Sequence, residues 1–265
     1  MDFDCFEASF LGHKPVAEVD VFDQVVEAGR AWSLLRARTP GRRRLVITAG
    51  FHGNEVAGPL TLLEHFSVIV GEARRHDVGL TIYPCLNPSG FDARTRYNQS
   101  GTSPNNDLLR YEVAPNVWVG ELGPGQRYLR HRVHSGGPNE TRALARALEV
   151  DEAPHAALDL HQDPWLRGTW CYAYTFGDRG AYRPLLAQSR RHLPIAEVTE
   201  VDDDLYSDDD GIIEFHDGSV TDYFHRRGVP YTAALETTTD SPLTDCDQVN
   251  LIWIRGFIGL AAQNQ

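Results

Sequence analysis

Residues 44–64 read Arg-Leu-Val-Ile-Thr-Ala-Gly-Phe-His-Gly-Asn-Glu-Val-Ala-Gly-Pro-Leu-Thr-Leu-Leu-Glu, an apolar run that stops at Gly50 and passes at once into His52, Gly53, Asn54 and Glu55. Residues 45–49 are short, apolar and partly β-branched, as in a strand covered on both faces. Residues 56–66 carry apolar side chains at helical spacing, so the stretch predicts strand, loop, then helix. His52 and Glu55 then stand at the carboxyl end of a strand in an α/β sheet, the edge where such folds place their ligands. Turned inward, the imidazole and the carboxylate can meet on one cation. The bare spacing is a weak signal, because a loop histidine and a helix-start glutamate need no function. Its position at a strand end, with glycines on both sides of the histidine, gives it weight.

Outward from this stretch, residues 79–85 predict a second buried strand that ends in the turn-forming run Asn87-Pro-Ser-Gly90. Residues 87–138 are rich in Gly, Pro, Asn and Arg, show little regular pattern, and read as a long functional loop segment. A helix is expected over 139–150, a strand over 155–160 that delivers His161, an aromatic strand over 169–176 and a helix over 181–192. The acidic run 202–210 reads as a solvated loop, since its spacing is not that of an EF-hand. Ser219 is placed to cap a helix over 220–227, and residues 231–235 form a strand that carries Glu236 to its end. An amphipathic helix over 248–262 closes the chain. At the start, residues 17–26 suit a strand or a helix, and 31–38 an amphipathic strand.

The expected fold is α/β: a single domain over residues 1–265 with a central mixed, largely parallel twisted sheet and helices on both faces. A net charge of -12 and a pI near 5.3 argue against a nucleic-acid partner, which would call for a basic surface. No apolar run reaches membrane-spanning length and the start lacks a signal-peptide pattern, so a cytoplasmic protein with no membrane partner is expected. The four cysteines are far apart without a Cys-x-x-Cys, which disfavours a cysteine metal site.

Three strand ends thus carry polar groups that a covered sheet does not need: His52 with Glu55, His161, and Glu236. Taken singly, His161 is an ordinary core histidine and Glu236 a surface acid. Together, two histidines and one carboxylate form a ligand set used by catalytic zinc, and Glu236 can take a proton from water at the open fourth position. Asp159 alternates with His161 along the strand and shares its face.

The order of six short motifs, His52-Gly-Asn-Glu55, Asn87-Pro-Ser-Gly-Phe91, Thr95-Arg96-Tyr97-Asn98, Asp107-Leu-Leu-Arg110, Asp159-Leu-His161 and Gly218-Ser219-Val-Thr-Asp222-Tyr223 up to Glu236, resembles that of the zinc carboxypeptidases (funnelins). The resemblance covers residues 44–243. It implies one zinc ion on His52, Glu55 and His161, with Glu236 as general base and later acid. It further implies that Arg96 steadies the oxyanion, Arg110 receives a substrate carboxylate, and Asp107 orients a zinc histidine. The implied activity is hydrolysis of a peptide or amide bond next to a residue with a free carboxylate, in a small peptide or acyl amino acid.

The His-Gly-Asn-Glu start is equally similar to the aspartoacylase and succinylglutamate desuccinylase branch, which implies an N-acyl amino acid deacylase as the alternative. A catalytically silent carboxylate binder is a third reading. Two departures fall in substrate binding. Leu109 stands where the family has Asn before the carboxylate arginine, with Asn98, Asn105 or Asn106 as substitutes. No tyrosine lies just before Gly218, leaving Tyr206, His216 or Tyr223 for the family's mobile tyrosine.

Overall fold

The computed structural model describes residues 1–263. The chain opens with helix α1 (Phe3–Leu11), whose Phe3, Phe6 and Phe10 recur at helical spacing and are all buried. Asp2 caps it by accepting from the Cys5 amide at 2.8 Å. Each phenylalanine so buried contributes roughly 2–3 kcal/mol, enough to hold a nine-residue helix that would not persist alone. Strands β1 (Glu18–Glu27) and β2 (Arg30–Arg38) follow as an antiparallel pair with a register shift between Val21 and Asp23. Strand β3 (Arg43–Ala49) is the buried strand read from the sequence.

The helical pattern after it forms two helices, α2 (Ala57–Glu64) and α3 (Phe66–Arg75), parted at His65. Strand β4 (Val78–Tyr83) leads to α4 (Pro88–Ala93), so the Asn87 turn is a helix start: its side chain accepts from the Gly90 amide at 2.9 Å. The segment expected to lack regular structure holds a small antiparallel sheet of β5 (Leu109–Ala114), β6 (Val117–Val119) and β7 (Arg130–Val133). Its residues alternate poorly, and β7 is exposed throughout, so hydrophobic period gave no sign of it.

Helix α5 (Asn139–Val150) and strands β8 (Ala156–Asp163) and β9 (Cys171–Phe176) come next, then α6 (Arg183–Ser189), shorter than its sequence pattern. The acidic run contains the hairpin β10 (Glu200–Asp202) and β11 (Leu205–Tyr206), and is followed by β12 (Ile212–Ile213). Asp208 and Asp210 of this run are paired to Arg179 and Arg183. The chain closes with α7 (Val220–Arg226), β13 (Tyr231–Thr238) and α8 (Leu243–Ala262). Ser219 makes no capping bond; its hydroxyl meets that of Thr221 instead.

The large sheet has the order β1-β2-β4-β3-β8-β13-β9-β12, and its central four strands are parallel. The chain leaves β3 to one side, through α2 and α3 to β4, and returns to β8 on the other. The crevice between the carboxyl ends of β3 and β8 is therefore a topological switch point. Leu45, Ile47, Leu158, Leu160, Ala233 and Leu235 face the core shared with α2, α3 and α8. Val46 and Ala157 face the second core, under α5 and α7. By the same alternation Thr48, Asp159, His161 and Glu236 point to the second side.

Candidate metal and active site

His52 and Glu55 sit in the loop between β3 and α2, His161 near the end of β8, and Glu236 on β13 directly opposite His161 in the parallel register. All four line one cavity of about 160 Å³. His52 Nδ1 lies 2.7 Å from Glu55 Oε1, and His161 Nδ1 lies 2.9 Å from Glu55 Oε2. The ring nitrogens on the far sides are also engaged. His161 Nε2 meets Asp159 Oδ2 at 2.8 Å and His52 Nε2 meets Ser103 Oγ at 3.1 Å. Thr48 Oγ1 donates to Asp159 Oδ1 at 2.8 Å.

Two Nδ1 atoms thus converge on one carboxylate, and ligand atoms of His52, Glu55 and His161 lie within 4.8 Å of one another. The outer nitrogens are held in place. This donor set fits a divalent cation, with two imidazoles, one carboxylate and fixed ring orientations.

Electrostatics follow from burial. Burial lowers His52 below the usual histidine range, against the pull of Glu55. Burial would also lower His161, but the facing carboxylates of Asp159 and Glu55 outweigh it and raise the ring well above that range. Burial opposes ionisation of Glu55, yet its two histidine partners hold it well below an ordinary carboxylate. Glu236 is raised well above its ordinary value by burial, with Glu55 and Asp163 adding to the effect against His161. Its Oε2 is buried with no hydrogen-bond partner. Such an oxygen is costly unless something else binds it.

Arg96 lines the same cavity and donates to Glu55 Oε1 at 2.8 Å. Arg110 does not line it: its guanidinium is paired to Asp107 and donates to the Leu109 carbonyl at 3.0 Å. Asp107 lies with His52, Arg96 and Ser103 around an adjoining hollow, its carboxylate engaged by Arg110. Of the asparagines weighed as substitutes, Asn105 and Asn106 line the cavity. Asn98 is buried against Glu140, at 3.1 Å, and holds the loop after it by accepting from the Thr102 amide at 2.9 Å.

Tyr206 is exposed, His216 stacks on Phe176 with its Nδ1 2.9 Å from Asp222 Oδ1, and Tyr223 is buried; none reaches the cavity wall. The tyrosines that do are Tyr172 and Tyr174 of β9. Sequence reading passed over these two, together with Asp163 and Asp217. Asp163 was within reach of it, since residues 159, 161 and 163 share one face of a strand.

The fold is that of the metallo-carboxypeptidases. A candidate metallopeptidase from Shewanella baltica superposes with a TM-score of 0.76 over 98% of this chain and 92% of its own, at 21% identity. A metallo-carboxypeptidase from Burkholderia cenocepacia gives 0.64 over 96% of this chain and 68% of its own, at 16% identity. Bovine thrombin-activatable fibrinolysis inhibitor, solved with a tick carboxypeptidase inhibitor, gives 0.65 over 98% and 96%, at 14% identity. No curated protein matches the chain.

Residues 41–175 match the model of the succinylglutamate desuccinylase/aspartoacylase catalytic domain, and the chain belongs to that family. That family is one of hydrolases, and the solved carboxypeptidase structures share the fold of this chain. No helix among the described residues is long and apolar enough to cross a membrane.

Proposed function

We propose that the protein is a zinc-dependent amidohydrolase of metallocarboxypeptidase type, cleaving a peptide or amide bond next to a residue with a free carboxylate in a small substrate. The observation that carries this reading is the unpaired, buried Oε2 of Glu236 in the cavity that holds His52, Glu55 and His161. A passive binding site would gain nothing from an acid left without a partner there.

His52, Glu55 and His161 would hold the ion, which when bound supplies a Lewis acid and brings the pKa of water towards neutrality. Glu236 accepts the proton of the attacking water and passes it to the leaving amine. Arg96, fixed on Glu55, presents positive charge where the carbonyl oxygen becomes negative. Asp159 holds the His161 ring in orientation and favours the tautomer with hydrogen on Nε2. Arg110 would serve a substrate carboxylate only by giving up Asp107, whereas Asn105 and Asn106 already line the cavity.

The family match over residues 41–175 favours a second reading, deacylation of an N-acyl amino acid by the same groups. Steady-state rates on benzoylglycyl dipeptides, N-acetylaspartate and N-succinylglutamate separate the two. Cleavage of the acyl amino acids alone would reject the peptidase reading. Glu236→Gln should retain zinc and lose about 10²- to 10⁴-fold in kcat. Undiminished turnover in that variant would remove Glu236 from the reaction.

A further inference from the structure

The wall of the cavity away from the candidate metal ligands is acidic and aromatic. Asp163, Asp202 and Asp217 line it beside Tyr174, Trp165 and Phe215. None of the three acids is paired with a cation among the described residues. Asp163 accepts from the Trp165 amide at 2.7 Å and from the Tyr172 hydroxyl at 2.9 Å. Asp202 accepts from the Asp203 amide at 2.8 Å, and Asp217 from the Ser219 amide at 3.0 Å. Arg96, the only guanidinium on the cavity wall among the described residues, is already bound to Glu55. A divalent ion would offset the charge of its own ligands and leave this second group of acids uncompensated.

Two further observations bear on what the acids face. The hydroxyl of Tyr174 is raised far above the ordinary phenol, first by burial and then by the negative charge of Glu236, Asp217, Asp163 and Asp202, all of which line the same cavity. Trp165 leaves 69% of its surface open although it stands on the cavity wall. Carboxylates interleaved with aromatic faces are the setting in which ammonium and guanidinium groups are held, by ion pairing and by attraction to the ring face.

We propose that this site selects substrates carrying a cationic side chain, ammonium or guanidinium, on the residue next to the scissile bond, received by Asp163, Asp202 and Asp217 against Tyr174. The proposal rests on the amidohydrolase reading and deepens it. It runs against an acidic substrate side chain: a second carboxylate would enter a cavity lined by seven acids, where Arg96, the one guanidinium on its wall among the described residues, is already bound to Glu55.

Matched pairs test it with the zinc-loaded full chain. Benzoylglycyl-lysine and benzoylglycyl-arginine are compared with benzoylglycyl-leucine, and N-acetyllysine with N-acetylaspartate. The cationic member should lead in kcat/KM by about tenfold or more. That lead should shrink as ionic strength rises. Asp217→Asn can keep the bond to the Ser219 amide, and Asp202→Lys changes an exposed position on a short hairpin; each should reduce the lysine-to-leucine ratio. Equal rates within each pair, a lead for the acidic member, or a ratio untouched by both substitutions would overturn the proposal.

If no substrate of any kind is cleaved, the amidohydrolase reading fails. Calorimetric binding then still decides the charge preference. Argininamide should bind more tightly than norleucinamide, and weaker or equal binding would sink the inference on its own.

Discussion

Asp159 Oδ2 lies 2.8 Å from Nε2 of His161, on the opposite edge of the ring from the Nδ1 that meets Glu55. Thr48, the neighbour of Asp159 in the β3 to β8 register, fixes the other carboxylate oxygen. In Asp159→Asn the fold should persist, since an amide fills the same space, but the ring loses its charged support. Metal affinity should fall about 10- to 100-fold, read by competition with a chromogenic chelator. Unchanged affinity with a native circular dichroism spectrum would deny Asp159 this positioning role.

Stripping the metal should lower thermal stability as well as activity. Glu55 is buried between two histidines, and an ion that binds the folded chain alone adds about 4 kcal/mol at a thousandfold excess over Kd. Adding zinc back to dialysed protein should raise Tm in proportion to the logarithm of its concentration. His52→Ala should abolish that dependence.

The loop that carries His52 touches α4 through bare backbone. A Cβ on Gly53 would lie 1.9 Å from the Gly90 carbonyl carbon and 2.2 Å from the Phe91 nitrogen. Neither atom can rotate away. Gly53→Ala should therefore cost about 3 kcal/mol, an overpacking penalty seen as a Tm drop of roughly 6–12 °C. A stable variant with full metal affinity would show that the two segments separate freely.

Asp217 gives a pH signature. Burial, with Asp222 adding repulsion and the Ser219 bonds opposing, raises its carboxyl from the ordinary 3.8 to about 6. A raised carboxyl binds its proton more tightly in the folded chain than in the unfolded one. Its contribution to stability is therefore most favourable at acid pH, declines as pH rises through this interval, and is fully unfavourable above it. Because part of Asp217 faces the open cavity, the penalty at neutral pH is put at about 1–2 kcal/mol. Asp217→Asn should melt higher than the parent at pH 7.5 and equal it near pH 4. A pH-independent difference would contradict the assignment.

Much of the site could be read from sequence because each group sits where a buried strand ends. Residues 45–49 announce β3 by composition, and the glycines around His52 mark the loop beyond it. His161 and Glu236 lie two residues before the ends of strands whose apolar runs are clear. Part of what escaped had no period to follow. β7 is Arg-His-Arg-Val with every side chain exposed, so nothing set it apart from loop. The spacing of Phe3, Phe6 and Phe10 was present but lay among acids at the start of the chain. The pairing of Arg110 with Asp107 depends on how the loop turns back on itself, which side-chain identity alone does not reveal. Asp202 comes to the cavity through a two-stranded hairpin within an acidic run, and composition made that run look wholly solvated.

The two outer margins of the large sheet differ in a way that bears on self-association. β12 offers only Ile212 and Ile213, too short a template for another chain to extend. At the other margin, β1 is long, but the shift at Val21 and Asp23 interrupts its ladder and acids at 18, 20 and 23 stud it. Strand-to-strand extension of the sheet, the first step of fibril-like stacking, is thus discouraged at both rims.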